Sequence, residues 1–223
     1  MEIIVLTHYL PNLQKGTNCF ALKLIQSKEI WLFNCIEGCQ HILVKKNIKI
    51  NHISKIILTE LHVNNISGLI GLLSSLHLVG RTQDIHIYSQ KEVKYYIEIA
   101  KKYSQTNFKY NIYTHRLYTG LIIQNQKYKL YTFTHTSKFI FSMITKELNG
   151  IFRLSKAKTF NLIQGPLYGK LKADNYFLLP DGSYMKGQDF KYNNKSGSNL
   201  AFINYKYHYR NSYEISNQSI LLK

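Results

Sequence analysis

The sequence predicts a layered domain of the α/β or α+β class, and two patterns support this prediction. Short apolar runs that are typical of strands alternate, in the first half of the chain, with stretches that have the apolar period of helices. The run "KIILTE" at 55–60 is apolar almost throughout, as expected of a strand that is buried on both faces. The chain has 223 residues, of which 45% are hydrophobic, so it can bury one sizeable core. We therefore predict a single domain over residues 1–223.

The individual elements follow from the same patterns. Apolar and β-branched residues dominate the predicted strands, whereas the helix at 91–105 carries Val93, Ile97 and Ala100 at helical spacing. The predicted order is strands at 2–6, 19–25 and 29–35, a helix at 37–47, a strand at 55–60, a helix at 66–80, a strand at 85–89, a helix at 91–105 and mostly strands over 109–145.

The pattern changes near residue 150. Residues 150–198, called the arm below, contain Gly, Pro and Lys without a clear period. "PDGS" at 180–183 predicts a turn, because Pro presets φ and Asp-Gly accommodates a chain reversal. We interpret the arm as an extension that projects from the main body and not as a second domain.

The charge points to a polyanionic partner. The sequence has 29 Lys and Arg against 12 Asp and Glu, a net charge of +17. Such a field favours nucleic acid or, as a second choice, an anionic membrane surface. The abundance of Lys, Ile, Asn and Tyr is also what an AT-rich gene encodes. No apolar run reaches the roughly 18 residues of a membrane span, so we expect no membrane insertion.

The ends of the chain and its cysteines indicate a compartment. "MEIIVL" at the start is typical of a strand and has neither a signal nor a transit pattern, so we expect the protein to remain where it is made. Cys19, Cys35 and Cys39 do not suggest a disulfide scaffold, and we expect buried free thiols in a reducing compartment. Cys35 and Cys39 with His41 could form a metal clip, but their spacing matches no standard zinc pattern.

The segment "LTELHVNNISGL" at 58–69 lies between a predicted strand and a predicted helix. Such a loop can hold metal ions, because the strand fixes the backbone while the loop directs side chains inward. Two closely spaced divalent ions can activate water and clamp a phosphodiester, but they need converging imidazoles and carboxylates. Residues 59–65, called the substituted loop below, contain few of them.

The segments "WLFNCIEGCQH" (31–41), "KIILTELHVNNISGLIGLLSSLHLVGR" (55–81) and "IQGPLYGKLK" (163–172) resemble ribonuclease Z. That family comprises the endonucleases of the metallo-β-lactamase superfamily that mature the 3′ ends of transfer RNA. The resemblance runs in order from residue 1 to about 206. It implies part of a metallo-β-lactamase αββα sandwich with a projecting arm, zinc as cofactor, transfer RNA as partner and a homodimer.

The family's loop reads Thr-His-x-His-x-Asp-His, followed by Gly-Leu. In this chain Glu60 takes the first His position, His62 is retained, and Asn64 and Asn65 take the positions of the Asp and the last His. Neutral amides are poor zinc ligands, and Asn64 cannot accept a proton as a general base. The resemblance therefore implies no catalytic residue here and at most weak metal binding. A rebuilt weak site that uses Glu60 and His62 is the alternative.

Later segments of the resemblance extend this interpretation. "YTFTHTSKFIF" resembles the segment of the next metal ligand, which would be His135, although a histidine at a strand end without a metal is the simpler interpretation. The family's metal-bridging Asp should fall near "AFINYKY", where Asn204, Tyr205 and Lys206 stand instead. The chain then ends before the last ligand His of the family, so we expect a shortened homologue.

The arm matches the family better than the loop does. In ribonuclease Z this arm grips the transfer RNA that is bound to the dimer partner. The resemblance implies RNA contacts by residues of "GPLYGKLK": Gly165, Pro166, Tyr168, Gly169, Lys170 and Lys172. Glycine lets a phosphate approach the backbone, lysine supplies a salt-sensitive contact, and Tyr168 can stack or pack. The alternative is an ordinary Gly/Pro turn with solvated lysines.

Three functions remain open from the sequence. The first is a transfer-RNA or other RNA binder without catalysis. The second is a residual metal-dependent endonuclease that uses Glu60, His62 and His135. The third is a pseudoenzyme that dimerises with itself or with an active homologue. A plastid-encoded origin, with the protein in the chloroplast stroma, suits the AT-rich composition; otherwise the protein is expected in the cytoplasm.

Overall fold

The structure is a computed structural model. It describes residues 1–6, 19–25, 27–135, 138–147, 150–178, 182, 184–194, 196–203, 214, 217 and 219–222. The chain divides into two compact units. Unit 1 comprises Met1–Ile123, Leu130–Ser142 and Leu200–Lys223, and unit 2 comprises Gln124–Lys129 and Met143–Asn199.

A six-stranded sheet forms the centre of unit 1. Its strands lie in the order β1 (Glu2–Val5), β2 (Phe20–Leu24), β3 (Glu29–Phe33), β4 (Ile53–Ile57), β5 (Ile85–Ser89) and β6 (Ile112–Arg116). The pairs β1–β2 and β2–β3 are antiparallel, and the pairs from β3 to β6 are parallel. Parallel strands need crossovers. Helices supply them: α1 (Cys39–Lys45), α2 (Val63–Ile66), α3 (Leu69–Leu78) and α4 (Val93–Ser104).

These helices cover one face of the sheet. Leu32, Ile56 and Ile87 of the strands belong to the same buried cluster as Leu72 of α3 and Val93 of α4. Each of these side chains is fully buried. In the apolar stretch at 69–79, the residues up to Leu76 supply core side chains, as the composition predicts, whereas Leu78 and Val79 are exposed.

The other face of the sheet packs against a second sheet. That sheet has the order β13 (Ile220–Leu222), β12 (Asn199–Phe202), β9 (Lys138–Thr145), β8 (Tyr128–His135) and β7 (Gly120–Gln124). Phe33 of β3 contacts Phe141 of β9 and Phe202 of β12, with ring centroids 5.7 and 5.8 Å apart. Helices and two sheets therefore form successive layers, which confirms the predicted layered class. Ile56 and Ile57 are adjacent in β4, so their side chains point to opposite faces, and both are fully buried, as expected of a strand that is covered on both faces.

Two predicted element boundaries shift for identifiable reasons. The strand predicted at 55–60 ends at Ile57, because the backbone of Thr59 turns to bind the side chain of Asn34. The helix predicted at 66–80 is divided into α2 and α3 at Ser67 and Gly68. A Cβ atom at Gly68 would lie 2.0 Å from the carbonyl oxygen of Ile36, so this close approach requires glycine.

Unit 2 contains the whole arm. It has helices α5 (Leu154–Thr159) and α6 (Pro166–Lys172), the antiparallel pair β10 (Tyr176–Leu178) and β11 (Tyr184–Lys186), and a 3₁₀ helix at Gly187–Phe190. The sequence predicted no helix here, because helices of one or two turns are too short to display a period. Most of the turn predicted at 180–183 lies outside the described residues. The projection of the arm stays a prediction.

A small apolar cluster holds unit 2 together. Ala157, Leu171, Met185 and Phe190 are buried in it. In unit 1, Cys19, Cys35 and Cys39 are free and buried, as predicted. No helix in the described part of the chain is long and apolar enough to cross a bilayer.

Candidate functional site

The substituted loop leaves the carboxyl end of β4. Because β3, β4, β5 and β6 are parallel, their carboxyl ends lie at one edge of the sheet, where α/β proteins commonly place their sites. Asn34, which follows β3 at the same edge, is the first residue that shapes the loop.

Asn34 anchors the start of the loop. Its backbone is left-handed, with φ 59°, which asparagine tolerates better than most residues. Its buried side-chain Oδ1 accepts hydrogen bonds from the backbone N and the Oγ1 of Thr59, at 2.9 and 3.0 Å. The amide oxygen accepts both bonds without burying a charge.

The far end of the loop is anchored to the same segment. The backbone N of Cys35 donates to the carbonyl of Asn65 at 2.7 Å, and the backbone N of Gly68 donates to the carbonyl of Cys35 at 2.9 Å. The side chain of Asn34 therefore fixes the start of the loop, and main-chain contacts fix its far end, so neither anchor involves a side chain at a ligand position.

Two of the substituted side chains bind each other. Asn65 is 1% exposed, and its Nδ2 donates to Oε1 of Glu60 at 3.1 Å. The amide oxygen Oδ1 of Asn65 is buried and has no hydrogen-bond partner among the described residues. The amide cannot be reversed without placing this oxygen against the carboxylate, so its orientation follows from charge.

His62 is exposed and caps α2. Its Nδ1 accepts a hydrogen bond from the backbone N of Asn64 at 3.3 Å. A backbone N–H can only donate, so Nδ1 carries the lone pair and the neutral ring carries its proton on Nε2. In this arrangement neither nitrogen of His62 presents a free lone pair to a metal.

These side chains do not fit the zinc centre that the resemblance implies. Zinc prefers imidazole and thiolate donors, whereas Asn64 and Asn65 offer neutral amides. No group of three or more His, Cys, Asp or Glu side chains that could hold a metal occurs among the residues that the structure describes. The oxygens of Glu60 and Asn65 would suit a hard, oxygen-preferring cation better than zinc.

The position of the other predicted site residues of unit 1 relative to the loop lies outside the described structure. His135 is the last residue of β8, and its side chain lies outside the described part. Asn204, Tyr205 and Lys206, where the family has its metal-bridging Asp, also lie outside it.

In the arm, "GPLYGKLK" forms a helix and not the turn that the alternative interpretation expected. Gly165 precedes α6 and Pro166 begins it, as is common for proline. The ring of Tyr168 contacts that of Phe152, with centroids 4.9 Å apart, and its hydroxyl donates to the carbonyl of Leu162 at 2.8 Å. Of the two roles considered for Tyr168, the structure therefore gives it the packing role.

The two leucines of this segment pack inward with Tyr168, whereas its glycines and lysines face outward. A Cβ atom added at Gly165 or Gly169 would meet no neighbouring atom within 4 Å in the described structure. Neither residue is left-handed, since Gly165 is extended, with φ 173°. Internal packing therefore does not require these glycines. Lys170 and Lys172 are exposed on the same helix.

The hairpin of β10 and β11 adds aromatic residues that sequence reasoning missed. Tyr176 and Tyr184 are 55% and 59% exposed, and their rings are nearly parallel with centroids 5.7 Å apart. Phe177 and Met185, on the opposite face, belong to the apolar cluster of unit 2. The alternation of exposed and buried residues in each strand is the signal that could have indicated this face.

Comparisons with known proteins agree with this architecture. No protein-family model matches the chain. The protein named ycf56 from Pyropia yezoensis is 46% identical over 185 residues, which cover 82% of this chain and 70% of that protein. Its counterpart from Porphyra purpurea is 39% identical over 207 residues, covering 90% and 78%. Ribonuclease Z of Acaryochloris marina is 34% identical over 195 residues, covering 86% of this chain and 62% of the enzyme.

Two solved structures share the fold. The short form of human tRNase Z superposes with a TM-score of 0.53 and 25% identity, covering 65% of each chain. The long form of ribonuclease Z from yeast gives a TM-score of 0.56 and 14% identity, covering 68% of this chain and 28% of the yeast chain. The fold and the loop after β4 thus define a ribonuclease Z-like protein of the metallo-β-lactamase fold, as the sequence resemblance predicted. Within that class, the chain belongs to the family of the red algal ycf56 proteins.

Proposed function

We propose that this chain is an RNA-binding protein, with transfer RNA as its partner, that no longer cleaves RNA by zinc chemistry. The single observation that carries the loss of catalysis is the hydrogen bond between Nδ2 of Asn65 and Oε1 of Glu60. Residues at two positions where the family has metal-binding histidines are engaged with each other. Asn64, at the general-base position, has no group that can accept a proton from water.

RNA binding is supported by the arm and by the charge of the chain. Lys170 and Lys172 are exposed on α6 and can each neutralise a phosphate, which releases counterions and makes binding salt-dependent. Gly165 and Gly169 are not required by packing, so a role in letting a phosphate approach the backbone accounts for them. The net charge of +17 attracts RNA at long range.

The experiment combines a binding titration with a cleavage assay on the full chain. We expect a precursor transfer RNA to bind, as measured by fluorescence anisotropy, without release of a correct 3′ end in the presence of zinc. The double variant Lys170→Gln/Lys172→Gln should weaken binding and lower the slope of log affinity against log salt by about 2. The matched control is Lys45→Gln/Lys49→Gln, which removes two exposed lysines of unit 1. Equal effects of both variants, or specific cleavage, would contradict the proposal.

A residual metal-dependent endoribonuclease is the second candidate. The buried Oδ1 of Asn65, which lacks a partner among the described residues and lies beside Glu60, favours it, because unpaired buried oxygens suit a hard cation. Cleavage in manganese that disappears in Glu60→Gln, but persists in the exposed-residue control Glu37→Gln, would support this candidate. Cleavage that survives Glu60→Gln would point to a contaminating nuclease.

The location and assembly of the protein are part of the same proposal. The relatives in red algae and cyanobacteria support a plastid protein in the stroma, since plastids descend from cyanobacteria. The homodimer, and the role of a non-enzymatic dimer partner, stay predictions. Sedimentation of the chain alone, and with an active homologue, measures them directly.

A further inference from the structure

Four aromatic rings form a stack on β5 and β6, on the face of the sheet that does not carry the helices. Along the stack, Tyr113 contacts His86, His86 contacts His115, and His115 contacts Tyr88. The ring centroids are 5.3, 5.2 and 4.6 Å apart. Strand register produces this arrangement, because His86 lies opposite Tyr113 and Tyr88 lies opposite His115.

The stack brings two imidazole nitrogens together. Nδ1 of His86 and Nε2 of His115 are 3.0 Å apart. Burial lowers the pKa of both histidines, and for His86 the neighbouring His115 and Lys55 lower the pKa further. Both rings are therefore neutral near pH 7, which is the protonation state in which imidazole binds metals.

The tyrosines hold the two imidazoles in place. Tyr113 stacks on His86 with an interplanar angle of 19°, and Tyr88 stacks on His115 with an angle of 20°. Rings that are already oriented lose little further freedom when a ligand binds between their nitrogens. The pair is thus preorganised on a rigid sheet and not on a loop.

The separation of the nitrogens selects a coordination geometry. With metal–nitrogen distances of about 2.0–2.1 Å, two nitrogens 3.0 Å apart subtend an angle of about 95° at the metal. That angle is close to the right angle of square-planar and octahedral complexes, which Cu(II) and Ni(II) prefer.

We propose that His86 and His115 form a two-histidine site for a divalent transition metal of the Cu(II) or Ni(II) type, with water in the remaining positions. Binding needs no net loss of a proton. In the free pair, one of the two facing nitrogens carries the hydrogen of the N–H···N bond. The metal takes the place of this hydrogen, and the proton moves to the other nitrogen of the same ring, so that both rings stay neutral. No third His, Cys, Asp or Glu completes the pair among the described residues, so we expect moderate affinity.

The test is a titration of the untagged full chain with Cu(II), followed by calorimetry and electron paramagnetic resonance. The variants His86→Phe and His115→Phe each keep a ring in the stack and remove the ligand nitrogens. We expect one equivalent of Cu(II), two coordinated nitrogens in the spectrum of the unchanged chain, and at least a tenfold loss of affinity in each variant. The control His52→Gln alters an exposed histidine elsewhere and should bind as the unchanged chain does.

Two results would overturn the proposal. The first is undiminished Cu(II) binding in His86→Phe or His115→Phe, which would assign the metal to other residues. The second is the absence of any stoichiometric site in the unchanged chain. Thermal unfolding without metal identifies a misfolded variant, and in that case the spectrum of the unchanged chain decides: one nitrogen ligand contradicts the site, and two support it. If this site binds Cu(II), the total amount of metal bound to the chain does not show whether the substituted loop binds a metal.

Discussion

The substituted loop and the segment "GPLYGKLK" of the arm are the two regions to which the resemblance to ribonuclease Z assigns functional residues, and they differ in how they are built. In the loop, Asn65 binds Glu60, while the side chain of Asn34 fixes one end of the loop and main-chain contacts fix the other. In the arm, Tyr168 packs inward, whereas the lysines and glycines of α6 face outward without internal partners that need them. The side chains of the loop thus contact each other, whereas the lysines and glycines of α6 are exposed to solvent.

The difference follows from what each kind of site demands. A zinc centre depends on the chemical identity of every ligand, so one change from imidazole to amide removes a donor outright. A surface that binds phosphates depends on charge and on backbone access, to which many residues contribute weakly. We therefore expect binding to persist after catalysis is lost. The predictions below test this contrast, beginning with the largest expected effect.

The largest loss of stability is expected from substitution of Asn34, which anchors the loop. Asn34→Ala leaves the backbone N and hydroxyl of Thr59 without their acceptor in a buried site, and it places Ala in a left-handed conformation. We expect a loss of about 3 kcal/mol in the free energy of unfolding, measured with urea. The matched control is Asn47→Ala, which also has a positive φ but is exposed, and which should cost about 1 kcal/mol. Similar losses in both variants would show that the buried acceptor does not hold the loop.

The open surface of the arm should extend to the hairpin. Tyr176→Ala/Tyr184→Ala removes two exposed rings, and stacking on an aromatic side chain contributes about 1–3 kcal/mol per base. We expect weaker binding of RNA that contains unpaired nucleotides, measured by anisotropy, and little change in stability. The exposed tyrosines of α4 provide the control, Tyr95→Ala/Tyr103→Ala. An unchanged affinity would restrict the binding surface to α6.

Substitution of Gly169 by alanine should change the stability of unit 2 and the affinity for RNA in opposite directions. Alanine has a higher helix propensity than glycine, and the added methyl group meets no neighbouring atom within 4 Å in the described structure. Gly169→Ala should therefore stabilise unit 2 by about 0.5–1 kcal/mol. It should also weaken RNA binding, because the methyl group keeps a phosphate from the backbone. If RNA affinity rises or stays constant, the glycine has no role in close approach.

The smallest effect is expected at His62. His62→Ala removes the acceptor that caps α2, but α2 is short and the side chain is exposed. We expect a loss of about 0.5 kcal/mol in stability and no change in RNA affinity. A large loss of RNA binding in this variant would place the substituted loop in the binding surface, and the contrast between the two regions would fail.

Much of the fold follows from the sequence. The apolar run of β4 indicates a strand covered on both faces, and the helical period of 91–105 predicts α4 to within two residues. The resemblance identified the ligand positions and the arm. It could not show the two short helices of the arm, because their stability comes from packing on Leu171 and Phe190 and not from a visible period.

Other features required the tertiary structure. The sequence alone determined which residues stand at the positions that the resemblance assigns to metal ligands, because the residue type at each position is read directly from the sequence. Three contacts depend on where the backbone turns. They are the hydrogen bond from Asn65 to Glu60, the hydrogen bond that Nδ1 of His62 accepts at the start of α2, and the inward packing of Tyr168. The meeting of His86 with His115 depends on the register of β5 against β6. Register is fixed by the packing of the whole sheet, so no local pattern encodes it.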